Sequence, residues 1–191
     1  GGWHMRLFTA LWPVEDALRH LDRAVRAVDQ EDLAAATGGL RKFRFISPDR
    51  WHLTLCFHGD DADLQATTEQ VESRVAALPG VSAPRLRLAG AGTFRGVLWI
   101  GVQPAEEADE TALRQLVGAA GGDARGYEAH LTIARWLGGR LDRARLTGLF
   151  ADYAGPWWEP EHLSVMSSEL RRGGPIYRTV HRVALPRRAS G

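Results

Sequence analysis

Cysteine is almost absent from this chain: Cys56 is the only one in 191 residues. An intramolecular disulfide is therefore impossible, and no cysteine-rich zinc site can be built. Lysine is equally scarce, with Lys42 alone among 24 basic residues. No apolar run reaches membrane-spanning length, so no membrane partner is expected. Met5–Trp12 is apolar, but Pro13 and a charged stretch follow it, where a signal peptide would carry a small-residue cleavage site. Net charge is small as well. The formal value of +1 excludes a polyelectrolyte binder of the histone kind. Neither HExxH nor a His-x-His pair occurs. His52 and His58 share a strand face by parity, yet stand too far apart to chelate one ion. No metal and no other cofactor is expected, and a cytoplasmic location fits.

What remains is ordinary. Apolar residues make up 45% and charged residues 25%, the balance of a soluble globular protein. The length suits one domain or two intimately packed lobes. Gly1 to His4, ahead of Met5, read as a cloning remnant, which leaves one bilobal domain over residues 5–188 acting as a monomer.

Periodicity predicts a strand over Met5–Trp12, then a helix from Pro13 through Leu18, Leu21, Val25 and Val28 to the turn at Thr37-Gly38-Gly39. Phe43–Ile46 and Trp51–Phe57 read as strands, and Asp61 as the cap of a helix along Leu64, Val71, Val75 and Leu78. Further strands are expected at Arg85–Ala89 and Val97–Val102, on either side of a turn-rich Gly90–Gly96. A helix over Leu113–Ala120 follows, then a strand at His130–Trp136 and a short helix around Leu141–Tyr153. Two closing strands lie near His162–Leu170 and Ile176–Leu185. Short connections favour hairpins over a doubly wound sheet. The class is α+β, a duplicated bilobal fold with two mixed or antiparallel sheets facing a central groove and helices packed outside.

One tetrapeptide occurs twice. His52-Leu53-Thr54-Leu55 returns as His130-Leu131-Thr132-Ile133, 78 positions later. Each copy alternates polar and aliphatic residues, so each strand presents an imidazole and a hydroxyl on one face and aliphatics on the other. An unperturbed histidine titrates at about 6.5, so a pair can hold one proton between them near neutrality. In-line phosphodiester cleavage needs a base for the entering oxygen and an acid for the leaving one, while Thr54 and Thr132 can donate to the charged phosphoryl oxygens. A lone His-x-Thr-x is weak evidence, since a strand histidine is often only a partner for a backbone carbonyl. Two near-identical copies in matching contexts are not.

The duplicated motif, with Arg6–Leu11, Gly92-Thr93-Phe94, Val97–Val102, and Ser168-x-Leu170 with Tyr177, resembles the 2H phosphoesterase superfamily, in particular its bacterial RNA 2′,3′-cyclic phosphodiesterase (LigT-like, 2′-5′ RNA ligase-like) group. The resemblance implies a bilobal fold around a water-filled groove. It also implies metal-independent hydrolysis of a 2′,3′-cyclic phosphate on RNA, or on a small nucleotide, to the 2′-phosphate. By that pattern His52 is the proton donor and His130 the acceptor. Joining of 2′-5′ ends is the same step run backwards, and a nucleotide- or RNA-binding module without turnover is the alternative. His58 and Ala129 depart from the family's usual leucine and proline.

Arg135 lies on the opposite face by strict alternation, unless a bulge turns it towards a phosphate. Phe8 and Tyr177 are candidate contacts for a nucleobase, with core packing the competing fate of Phe8. His58 either adds a cation at the groove or caps a strand end. Trp157-Trp158 cannot both face one core. Arg171, Arg172, Arg178 and Arg182 either steer a polyanion or form a solvated rim.

Overall fold

The computed structural model describes residues 2–187; Arg188, the expected last residue of the domain, lies outside them. Eight strands form one sheet in which every pairing is antiparallel. They are β1 (His4–Leu11), β2 (Arg44–Phe45), β3 (Leu53–Asp63), β4 (Leu86–Phe94), β5 (Val97–Pro104), β6 (His130–Arg135), β7 (His162–Arg171) and β8 (Gly174–Ala184). The order is β4-β5-β6-β3-β1-β7-β8, with β2 also on β6. The two expected sheets are the two halves of this one. They meet where β3 and β6 carry the motifs, through the single pair Leu53↔Leu131. The halves are not contiguous in sequence: the closing hairpin β7–β8 returns to β1, and β2 crosses to β6.

Five helices accompany the sheet: α1 (Glu15–Arg26), α2 (Gln30–Thr37), α3 (Leu64–Ala76), α4 (Glu107–Ala120) and α5 (Arg143–Gly148). Leu21 of α1, Val71 and Val75 of α3, and Leu113, Leu116 and Val117 of α4 share one core with Leu53, Leu55, Leu131 and Ile133. A smaller cluster of Phe8, Ala10 and Met166, flanked by Trp12 and Tyr177, holds the opposite face. Among the described residues no helix is long and apolar enough to cross a membrane.

Several boundaries differ from the periodicity. The first long helix is two, because the Asp29 carboxylate accepts from the Asp32 amide and starts α2 afresh. Asp63, not Asp61, caps α3, since β3 runs on to pair Asp63 with His4. β4 continues through Phe94 and leaves only Arg95-Gly96 as the turn. That continuation needs a glycine at 92, where a Cβ would lie 2.2 Å from the Trp99 ring. α4 begins at Glu107 behind a capping box of Glu106 and Asp109, and α5 is shorter than expected.

Candidate functional site

The two motif copies are related by their pairing. Leu53 sits opposite Leu131, so one antiparallel step outward sets His52 beside Thr132 and Thr54 beside His130. Pairing between β3 and β6 goes no further, and a groove of about 1080 Å³ opens there. His52, Thr54, His130, Thr132, Arg135, Phe8 and Tyr177 all line it. The aliphatic partners point into the helix-covered core as expected, Leu53, Leu131 and Ile133 being fully buried.

Both histidines are held alike. Nδ1 of His52 lies 2.8 Å from the Arg50 carbonyl, and Nδ1 of His130 lies 2.8 Å from the Glu128 carbonyl. A carbonyl can only accept, so each Nδ1 carries the proton and each Nε2 is left for chemistry. The surroundings differ. His52 packs against Phe8, Trp12 and Tyr177 at ring-centroid distances of 4.9, 5.0 and 5.2 Å. Burial pushes its pKa below the ordinary value, the Arg50 carbonyl opposes this, and the charge of Arg135 lowers it further. His130 is exposed, with Trp99 at 6.1 Å.

Arg135 reaches the groove because the strand is bulged. Ala134 pairs with Leu98 and Thr132 with Trp99, so Ile133 is an extra residue that reverses the parity beyond it. β3 does the same. Thr54 pairs with Ala10 and Cys56 with Thr9, leaving Leu55 extra. Each copy is thus bulged at its fourth residue, and each brings the fifth residue after its histidine, Phe57 or Arg135, to the groove.

The same bulge corrects the expected kinship of His52 and His58. His58 faces the helix side, where its Nε2 lies 2.6 Å from the buried Thr9 hydroxyl. Burial and the Arg74 charge lower its pKa. Trp158 is in the core, whereas Trp157 is exposed, with the guanidinium groups of Arg87 and Arg85 over its ring at 4.6 and 5.7 Å. Of the hairpin arginines, Arg171 pairs with Glu169 at 2.9 Å and Arg182 lines a neighbouring cavity that shares Tyr177. None of the four lines the groove.

Sequence reasoning missed most of the groove's charge. Arg6, Lys42, Arg44, Arg50 and Arg135 line it, and no carboxylate does among the described residues. Arg44 even sits directly opposite Arg135, a like-charge pairing that weakens a sheet unless an anion lies between. The run Arg41–Arg44, which holds the only lysine, was the available signal. Trp12 was legible too, since it continues the alternation of Phe8 and Ala10. Among the described residues no three His, Cys, Asp or Glu side chains converge as metal ligands.

The sequence model of the 2′-5′ RNA ligase superfamily matches residues 30–172. Solved structures share the fold. TT0787 of Thermus thermophilus is 23% identical with a TM-score of 0.65, over 97% of this chain and 100% of that one. E. coli LigT in apo form is 18% identical with a TM-score of 0.65, over 97% and 100%. The same E. coli protein complexed with 3′-AMP is 16% identical with a TM-score of 0.64, over 96% and 99%. Comparison with curated protein sequences finds no match.

Proposed function

From the premise that this chain belongs to the 2′-5′ RNA ligase superfamily, we propose that it is a metal-independent phosphodiesterase that opens a 2′,3′-cyclic phosphate at an RNA end to the 2′-phosphate. The observation that carries the reading is the paired arrangement of two histidines, each with Nδ1 fixed on a carbonyl, flanking two threonines in a groove lined by cations and, among the described residues, no carboxylate. In this scheme His130 Nε2 takes a proton from water as its oxygen attacks phosphorus. The bond from phosphorus to the 3′-oxygen breaks, and His52 Nε2 gives that oxygen its proton. Thr54, Thr132 and Arg135 bind the non-bridging oxygens, whose charge grows in the transition state. With a 5′-hydroxyl in place of water as the incoming group, the same opening of the ring by the same residues joins two ends through a 2′-5′ bond.

The test is turnover of a short RNA ending in a 2′,3′-cyclic phosphate, in excess chelator, with the product examined by phosphorus NMR. Formation of a 2′-phosphate is expected. A 3′-phosphate product, or no turnover, contradicts the reading.

A further inference from the structure

We infer that Arg85 and Arg87, with Gln103 and Trp157, form a second anion-binding patch outside the groove, and that it takes the phosphate backbone of a single-stranded RNA upstream of its cyclic end. The inference rests on the phosphodiesterase reading above and concerns how much of the substrate the protein holds. None of the four residues lines the groove, yet all lie on its side of the sheet. Gly101 pairs with His130, so the odd positions of β5 share the face of that histidine, while Leu98, Ile100 and Val102 are buried beneath. Gln103 is therefore on the histidine's face, and its cross-strand partner Arg87 with it. Beyond the edge of β4, Trp158 pairs with Leu86 and both are buried, which leaves Trp157 outside, beside Arg85 and Arg87.

The patch is held in shape before any ligand arrives. Arg87 donates from Nε to Oε1 of Gln103 at 3.1 Å, and its guanidinium lies 4.6 Å over the Trp157 ring. Those two contacts fix the plane of the fork and leave Nη1 and Nη2 without a partner among the described residues. The Arg85 guanidinium lies over the same ring at 5.7 Å. The indole thus orients two cations side by side and offers no stacking face to a base. An anion bridging the two relieves their repulsion, and the forked donors match a phosphate. Position decides whose phosphate it is. Two strand spacings across the sheet and two residues along it separate His130 from Arg87, about 12 Å between their backbones. Gly101, between them, adds no side chain. An RNA whose 3′ end lies at the histidines has its remaining phosphates on the 5′ side alone, and a backbone leaving past His130 over β5 meets the patch. Contacts to phosphate position a strand without reading its sequence, so all sequences should bind alike.

The test compares wild type with two double variants, Arg85→Gln with Arg87→Gln and Arg85→Lys with Arg87→Lys. Each protein is assayed on a hexanucleotide ending in a 2′,3′-cyclic phosphate and on adenosine 2′,3′-cyclic phosphate. Each is also titrated, by fluorescence anisotropy at several salt concentrations, with a 5′-fluorescein hexanucleotide ending in a 2′-phosphate. The glutamine pair should lower the preference for the hexanucleotide over the mononucleotide by on the order of 10-fold, through KM, and flatten the slope of log K against log salt by about 1.4, the value for two phosphate contacts on a single strand. The lysine pair keeps both charges and should keep most of the slope. An unchanged preference or an unchanged slope overturns the assignment. So does an equal loss in both variants, which would trace the effect to the folding of the sheet edge and not to charge. If wild type turns over neither compound, the phosphodiesterase reading falls, and the anisotropy titration still decides the patch.

Discussion

His52 and His130 have one local geometry and two environments, and that difference has a consequence for pH. The proton donor must carry a proton on Nε2. Burial among three rings and the charge of Arg135 both hold the His52 imidazole below its usual range. Its acid form is therefore lost early as pH rises, and kcat/KM should decline through a pKa below about 6.5. Replacing Arg135 by glutamine removes the lowering charge and leaves the burial, so this alkaline limb should move to higher pH even as kcat/KM falls from the lost phosphate contact. A pH–rate profile of the two proteins checks this. A limb that stays in place or moves to lower pH contradicts the assignment of His52 as donor.

At the scale of elements, the site depends on two bulges more than on two strands. Gly122, just beyond α4, packs its backbone against Leu55, the extra residue of β3; a Cβ there would lie 2.6 Å from the Leu55 carbonyl oxygen. Gly122→Ala should therefore cost about 1–3 kcal/mol, read as a lower denaturation midpoint. A variant with wild-type stability would contradict the packing. The strands themselves were legible because Leu53, Leu131 and the threonines alternate with a period of two. The bulges were not, because an extra residue leaves no composition signal when the doubled positions, Leu55-Cys56 and Ile133-Ala134, are all apolar. Arg135 and His58 were accordingly assigned by a parity that had already failed, at Ile133 and at Leu55. The break between α1 and α2 was hidden in a similar way, since Asp29 fits a helix surface as readily as a cap.

Across the whole molecule, a net charge of +1 conceals a strongly uneven distribution. Among the described residues, five cations and no carboxylate line one groove. Counterion release then predicts that a short single-stranded RNA binds with a steep salt dependence, and that Lys42→Ala flattens the slope of log K against log salt by about 0.7. Titrations of a trinucleotide at several ionic strengths check this, and an unchanged slope removes Lys42 from the contact. The order of the sheet was the least legible feature. Both motif strands and the final hairpin could be read along the chain, but nothing local says that β7–β8 joins β1, or that Leu53 and Leu131 are the joint between the halves.

Two histidines are assigned two proton transfers, His130 taking one from water and His52 giving one to the leaving oxygen. Single-turnover cleavage of a 2′,3′-cyclic-phosphate RNA by wild type, His52→Ala and His130→Ala tests this assignment most directly. The account predicts that each variant is slower by about 10²- to 10⁴-fold with binding largely retained. Near-normal turnover in either one would contradict it.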